Sequence, residues 1–170
     1  SLDAYRRQGS FGEHFMAALK AAGAEPETFL PEYGARQYEF TVRPALGITS
    51  ADRAIVAREM ARATAHRMGQ RAIFSPILDP DGVGNGVHIH FSFRDAHGAA
   101  ATHDPRDAFG LSPVARHFAA GVLHHMPALC AITAPSSVSY IRLRPNRWAP
   151  TIADMKQQDR AAAIRICPVI

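Results

Sequence analysis

Residues 88–93 alternate side chains that could bind a ligand with large apolar side chains. Because successive side chains of a β-strand point to opposite faces, one face would carry two imidazoles and a hydroxyl, from His88, His90 and Ser92. The other face would anchor the strand in a core and comprises Ile89, Phe91 and Phe93. The polar face, preceded by glycines that let a ligand approach the backbone, suits a metal ion, alone or with a phosphate. A half-buried antiparallel strand with a solvated polar face is the alternative interpretation.

The composition indicates one globular domain with a core of its own. The chain has 170 residues, 47% of them hydrophobic, and its 19 basic and 15 acidic side chains give a net charge of +4. The arginines are scattered, so nucleic-acid binding is not indicated, and no apolar run is long enough to span a membrane. Cys130 and Cys167 lie among apolar residues, which predicts buried, reduced thiols of a cytosolic protein, although a disulfide stays open.

Hydrophobic periodicity predicts a mixed order of helices and strands. One helix covers 10–22 and ends at Gly23, and a second begins with Thr49 as its N-cap and ends at Gly69. A third opens at Ser112, with proline in its first turn. The predicted buried stripe of this third helix comprises Val114, Phe118, Val122 and Met126. Extended segments or strands are predicted at 26–31, 37–43, 73–74 and 88–93.

Two glycine motifs point to other kinds of site. The run at 82–86 resembles a dinucleotide-binding loop, but it leads into a strand, so no helix N-terminus would meet the phosphates. A glycine six residues before His-x-His also resembles the cupin metal motif. The glutamate that a cupin places a few residues later is missing, with Asp95 as its nearest substitute, and two long helices fit poorly with an all-β barrel. A cupin-like metal enzyme therefore stays as an alternative.

Four segments, in order and correctly spaced, resemble the glutamine synthetase family. They match its pair of metal-binding glutamates, its glycine-then-His-x-His-x-Ser strand, its Asn-Ser-Tyr-Lys-Arg-Leu-x-Pro segment and its closing Arg-x-x-x-x-Arg-Ile. In this sequence the four segments lie at 32–39, 84–92, 134–145 and 160–166. The resemblance covers nearly the whole chain from about residue 11, and it implies an α+β fold: an antiparallel sheet with helices packed on it.

The resemblance implies two divalent metal ions. Glu32 and Glu39 would bind the ion that positions glutamate, and His88 would bind the ion that bridges the phosphates of ATP. Hard carboxylate oxygens suit Mg²⁺ or Mn²⁺. The two glutamates are seven residues apart and would point to opposite faces of a straight strand, but Gly34 allows a turn that lets both converge.

The resemblance also implies an ATP site and a glutamate site. His90 and Ser92 would lie beside the nucleotide, while Arg160 and Arg165 would bind ATP and neutralise the phosphoryl group in transfer, Arg160 as a catalytic residue. Gly84 would offer its backbone to the glutamate substrate. Arg142, also a catalytic residue in this interpretation, would grip a substrate carboxylate in bidentate fashion.

The departures from the family pattern fall on the amine side. The acidic residue that the family places before Ala-Pro, which helps bind ammonium and take its proton, is Trp148 here. A family asparagine is replaced by Val83, and a family lysine by Ile77. Indole cannot accept a proton, but its face attracts a cation. The pattern therefore resembles relatives that ligate glutamate to organic amines, such as γ-glutamyl-polyamine or γ-glutamyl-methylamide synthetases, with Trp148 in the substrate site.

These features predict an ATP-dependent carbon–nitrogen ligase that joins the γ-carboxylate of glutamate to an amine through a γ-glutamyl phosphate. Residues 1–170 would be a central part of the catalytic domain, without the family's N-terminal β-grasp domain and the C-terminal part of the catalytic domain. We expect these residues alone to be inactive, and the parent to be a cytoplasmic, ring-shaped homo-oligomer without nucleic-acid or membrane partners. A glutamine-synthetase-like protein that has lost catalysis and serves as a binding or structural module is the other alternative.

Overall fold

The computed structural model describes residues 2–167, without the side chains at positions 4 and 5. These residues form two compact units, one up to residue 74 and one from residue 75 onward. No shift in the amino-acid composition marks this boundary. Among the described residues, no helix is both long and apolar enough to cross a membrane.

Unit 1, residues 2–74, packs two long helices and a hairpin around one core. Its elements are α1 (Leu2–Ala21), β1 (Pro26–Pro31), β2 (Tyr38–Val42) and α2 (Ile48–Arg67). The predicted first helix begins eight residues earlier than expected. The second begins after Gly47, whose φ is 55°, so the prediction that Thr49 is its N-cap is wrong.

The core of unit 1 is aromatic on one side and made of small residues on the other. Phe15 and Leu19 are almost completely buried, at 1% and 0% exposure. The Phe15 ring meets Phe40 edge-on at 5.1 Å between centroids, so the predicted apolar face of residues 37–43 is confirmed. Helix α2 contributes small buried side chains that let helices approach closely, namely Ala57, Ala61 and Ala65.

Unit 2, residues 75–167, has three helices and a strand pair. Its elements are α3 (Pro113–His124), α4 (Met126–Thr133), α5 (Ser137–Arg142), β3 (Ile152–Gln157) and β4 (Ala162–Ile166). The predicted cap of α3 is confirmed, since the Ser112 hydroxyl accepts a hydrogen bond from the backbone of Ala115 at 3.2 Å. The predicted stripe is displaced by one position, because Ala115 and Ala119 are buried while Val114 is 56% exposed.

The two strand pairs confirm the α+β class. In unit 1, β1 and β2 pair antiparallel, and helix α1 packs against β1. In unit 2, β3 and β4 pair in parallel register, and α3 packs against both. The short strand predicted at 73–74 does not form; these residues have no strand geometry.

The segment at 88–93 does not form a strand of a sheet among the described residues. Ile89, predicted to face a core, is 68% exposed, so that prediction is wrong for Ile89. Phe91 is 58% exposed, but its ring lies 5.0 Å from that of Phe118. Phe93 is half-buried, and its ring lies 4.9 Å from that of Phe118. Alternation fixes which side chains share a face, but a face becomes a core only where a second layer covers it.

Replacing Ile89 with aspartate in this 170-residue chain should change the free energy of unfolding by less than about 0.5 kcal/mol, as for other exposed positions. Phe93→Asp should cost more, because it places a charge beside the Phe118 ring. Urea unfolding followed by circular dichroism measures both values. Equal, large losses for the two variants would show that Ile89 is covered in solution.

Candidate functional site

The hairpin of unit 1 brings the two predicted metal-binding carboxylates to one face. Leu30 lies opposite Glu39 in the β1–β2 register, so their side chains point to the same side. Glu32 lies two residues after Leu30, and its backbone N–H donates to the Gln37 carbonyl at 2.9 Å, which continues the ladder. Glu32 and Glu39 are therefore diagonal neighbours on one face, and both are half-buried.

The turn that makes this possible centres on Gly34, as predicted. The backbone N–H of Gly34 donates to the Gln37 side-chain oxygen at 3.0 Å, and the Gln37 N–H returns a bond to the Gly34 carbonyl at 3.1 Å. A Cβ added at Gly34 would lie 2.8 Å from that same side-chain oxygen, so a larger residue would displace the Gln37 side chain and its hydrogen bond. Arg36 completes the reversal with a φ of 56°.

The carboxylate pair fits a hard divalent ion but does not complete a site. Diagonal neighbours on a sheet face lie about 7–8 Å apart at their Cα atoms, which is within reach of one ion for two glutamate side chains. Among the described residues, no group of three or more His, Cys, Asp or Glu side chains is arranged to hold a metal. Glu32 and Glu39 would therefore need further oxygen ligands from elsewhere.

In unit 2, the predicted substrate residues Gly84 and Arg142 are in direct contact. A Cβ added at Gly84 would lie 1.9 Å from Cδ of Arg142 and 2.8 Å from the carbonyl oxygen of Pro76. Position 84 therefore accepts only glycine without a rearrangement. The Asn85 backbone N–H donates to the same Pro76 carbonyl at 2.8 Å, so this loop is fixed from both sides.

Arg142 is buried and bonds to three backbone carbonyls. Its Nε donates to Asn85 at 3.4 Å, its Nη2 donates to Trp148 at 3.2 Å, and its Nη1 donates to Arg147. Burial, and secondarily the nearby charge of Arg147, lowers the pKa of Arg142, although a guanidinium stays protonated in proteins. The sequence predicted a substrate grip for Arg142; its bonds to two loops had no sequence signal.

Trp148 lies on a turn with unusual backbone geometry. Asn146 and Trp148 have φ values of 63° and 52°, in the left-handed region that residues other than glycine adopt uncommonly. The indole is 58% exposed. Arg147 ties this turn to the loop before Gly84, because its Nη1 donates to the Gly82 carbonyl at 3.3 Å and its Nη2 lies 3.6 Å from Asp81.

The predicted metal ligand His88 and the predicted nucleotide-binding residues of the 88–93 segment are accessible. His88, His90 and Ser92 are all exposed, and so are Ile89 and Phe91 between them. The segment follows directly from the loop that Arg142 holds, so Gly84 and His88 belong to one continuous stretch. Nothing among the described residues covers the imidazoles, which leaves them free to meet a ligand.

The β3–β4 pair carries a group of cations. Arg165 lies opposite Lys156 in the register, and Arg160 is exposed in the turn between the strands. Asp159 orders this turn by accepting the backbone N–H of Ala161 at 2.8 Å, and it lies 3.4 Å from the Lys156 ammonium. The Ala161 N–H, and then Lys156, hold the pKa of Asp159 below its usual value. Sequence analysis missed Lys156, which only the strand register reveals.

The two thiols are free, as predicted, but they differ in burial. Both cysteines are free, as expected for reduced thiols. Cys130 is half-buried, but Cys167 is exposed, so the prediction that both are buried is wrong for Cys167. Cys167 directly follows β4, which ends at Ile166.

Comparison with known sequences identifies the family to which the chain is similar. The sequence matches the family described as "Glutamine synthetase, catalytic domain" over residues 1–169. The chain is 42% identical over 152 residues to the gamma-glutamylpolyamine synthetase of Streptomyces coelicolor, covering 89% of this chain and 32% of that protein. It is 36% identical over 150 residues to the glutamine synthetase of Thermus thermophilus, covering 88% and 33%. The chain thus spans about a third of the length of these curated relatives.

Solved structures agree. A crystal structure described as a novel glutamine synthase homolog has a TM-score of 0.93 and 49% identity, and the match covers all of this chain and 40% of that one. A structure described as a GmaS/ADP complex has a TM-score of 0.87 and 28% identity, covering 96% and 39%. The chain therefore belongs to the glutamine synthetase family and lies within the catalytic domain of that family.

Proposed function

We propose that these residues are the central part of the catalytic domain of an ATP-dependent ligase that joins glutamate to an amine. The γ-phosphoryl group of ATP passes to a γ-carboxylate oxygen of glutamate. The amine nitrogen then attacks the carbonyl carbon, phosphate leaves, and the nitrogen loses a proton. The observation that carries this proposal is the placement of Glu32 and Glu39 on one hairpin face in a chain of this family.

The resemblance to the family assigns the metal and nucleotide residues. Glu32 and Glu39 supply carboxylate oxygens to one Mg²⁺ or Mn²⁺ ion, and His88 supplies an imidazole to a second. A bound ion of this kind polarises phosphoryl oxygens and offsets their charge. His90 and Ser92 flank the nucleotide, and their exposure leaves them accessible to it.

The cations of the β3–β4 pair act on the phosphoryl group in transfer. Negative charge spreads over its oxygens in the transition state, and fixed positive groups stabilise that state. Arg160 and Arg165 are the family-matched residues for this role, and Lys156 lies beside Arg165 in the register. The Asp159 bonds order the backbone of the turn that carries Arg160.

The substrate side consists of Gly84, Arg142 and Trp148. Gly84 offers its backbone to glutamate, and Arg142, which retains N–H groups beyond its three carbonyl bonds, faces a substrate carboxylate. Trp148 replaces the carboxylate that would take a proton from ammonium, and its exposed indole covers the apolar part of an organic amine. Similarity to a gamma-glutamylpolyamine synthetase supports an organic amine.

The full-length protein is proposed to contain a β-grasp domain before this segment and further catalytic-domain sequence after it. It would assemble as a ring-shaped homo-oligomer in the cytoplasm, where its free cysteines stay reduced. Glutamate, an amine, ATP and a divalent metal ion are its small-molecule partners. These statements rest on family membership and on the fraction of the relatives that this chain spans.

The choice of amine tests the proposed function. In the full-length protein with glutamate, ATP and Mg²⁺, phosphate release should give a higher kcat/KM for methylamine, ethanolamine or a short polyamine than for ammonium. Trp148→Glu should shift the ranking toward ammonium by about tenfold or more, because a carboxylate can hold ammonium and accept its proton. Phe109→Glu, at another exposed aromatic residue, is the matched control and should leave the ranking unchanged.

Two results would contradict the proposal. If ammonium is the best substrate and Trp148→Glu leaves the ranking unchanged, Trp148 does not select the amine. If the full-length protein releases no phosphate with any amine, the non-catalytic binding module becomes the better description.

A further inference from the structure

The turn at 146–148 would not hold its conformation by itself. Asn146 and Trp148 both adopt left-handed φ values. Asparagine adopts this region readily, but a tryptophan persists there only where the surroundings enforce it. The two carbonyls that follow Asn146, those of Arg147 and Trp148, both accept hydrogen bonds from the Arg142 guanidinium. The buried planar fork of Arg142 thus binds the very peptide units that make the turn unusual.

The same guanidinium reaches the loop at 82–86. Its Nε donates to the Asn85 carbonyl, and its Cδ and Nε would lie 1.9 and 2.1 Å from a Cβ at Gly84. Gly84 therefore forms a wall against the arginine stem, and any side chain there would push the stem away. The loop at 82–86 thus packs against one side of Arg142, and the Arg142 guanidinium binds the turn at 146–148 on the other side.

We propose that Arg142 is a positioning residue, which fixes the left-handed turn at 146–148 and thereby places the Trp148 indole against the amine. This inference rests on the proposed function, in which Trp148 contacts the amine. It assigns to Arg142 a role in amine selection in addition to any contact with glutamate, and it makes Gly84 part of the same device.

The position of the indole can be measured without any activity, because Trp148 is the single tryptophan of the 170 residues. Arg142→Lys keeps the charge but loses the planar fork that binds several carbonyls. In this chain, acrylamide quenching of tryptophan fluorescence should rise by about 1.5-fold to 2-fold, and the anisotropy should fall. Arg144→Lys, at an exposed arginine two residues away, is the matched control and should change neither.

A second variant approaches the arginine from the other side. Gly84→Ala keeps the arginine at position 142 but displaces its side chain. It should therefore also raise acrylamide quenching of Trp148. Circular dichroism first establishes that each variant keeps its helix content. Unchanged quenching in a folded Arg142→Lys or a folded Gly84→Ala variant would overturn the proposal, and a variant that cannot fold leaves the decision to the other.

The amine comparison in the full-length protein separates this inference from the proposed function. Arg142→Lys should lower the ratio of kcat/KM for an organic amine to that for ammonium by about fivefold or more. A role limited to gripping glutamate would instead raise the KM for glutamate and leave this ratio unchanged, which would overturn the inference. If Trp148→Glu also leaves the ratio unchanged, the proposed amine role fails, while the fluorescence result still decides whether Arg142 holds the turn.

Discussion

Replacing Arg160 with alanine in the full-length protein should lower the kcat for phosphate release by about 10³-fold. An arginine that meets the phosphoryl group in its transition state is worth about that factor in phosphoryl-transfer enzymes. Arg160 sits on a turn ordered by the Asp159 carboxylate, so the loss should come from the missing charge and not from a rearranged backbone. Stopped-flow or coupled phosphate detection with saturating ATP, glutamate and amine measures the change.

Arg106→Ala provides the control for Arg160. The Arg106 side chain is 88% exposed and pairs with Asp104 on the surface, so its removal should leave kcat within about twofold. If Arg160→Ala raises only the KM for ATP and leaves kcat unchanged, Arg160 binds nucleotide equally in the ground and transition states. That result would remove Arg160 from the catalytic residues.

Replacing Leu19 with alanine should lower the free energy of unfolding of this chain by about 2–5 kcal/mol. Leu19 is completely buried in the core of unit 1, beside the Phe15 ring, and truncation leaves a cavity there. Urea unfolding monitored by circular dichroism gives the difference. Leu46→Ala is the matched control, because Leu46 is 81% exposed and should change the value by less than about 0.5 kcal/mol.

A loss below about 1 kcal/mol for Leu19→Ala would mean that Leu19 is not buried in a packed core. A loss of several kcal/mol for Leu46→Ala would mean that the exposed leucine is covered in solution. Either result would contradict the placement of the core between α1, the hairpin and α2.

The hairpin shows how far local sequence signals reach. Alternation at 37–43 predicted both faces of β2, and Gly34 predicted the turn that brings Glu32 and Glu39 together. These features depend on neighbours within about ten residues, where turn chemistry and side-chain period act directly. The cap of α3 at Ser112 was predictable for the same reason.

Features that depend on distant parts of the chain were not predictable. The contact of Arg142 with Asn85 joins residues 57 positions apart and leaves no periodic signal. Lys156 joins the cation group only through its register with Arg165. The exposure of Ile89 depends on whether another part of the chain packs over it, and the local alternation of residues does not predict that.

The exposed segment at 87–92 also affects how this chain behaves in concentrated solution. Its backbone makes no ladder to another strand among the described residues, and Val87, Ile89 and Phe91 are exposed at 86%, 68% and 58%. Residues 82–93 contain no aspartate, glutamate, lysine or arginine. An uncharged, apolar segment whose backbone is not paired in a sheet can pair edge to edge between molecules, and charged residues are the usual defence against this. The stretch that the proposed nucleotide site requires to be open is therefore also where self-association of these 170 residues would begin.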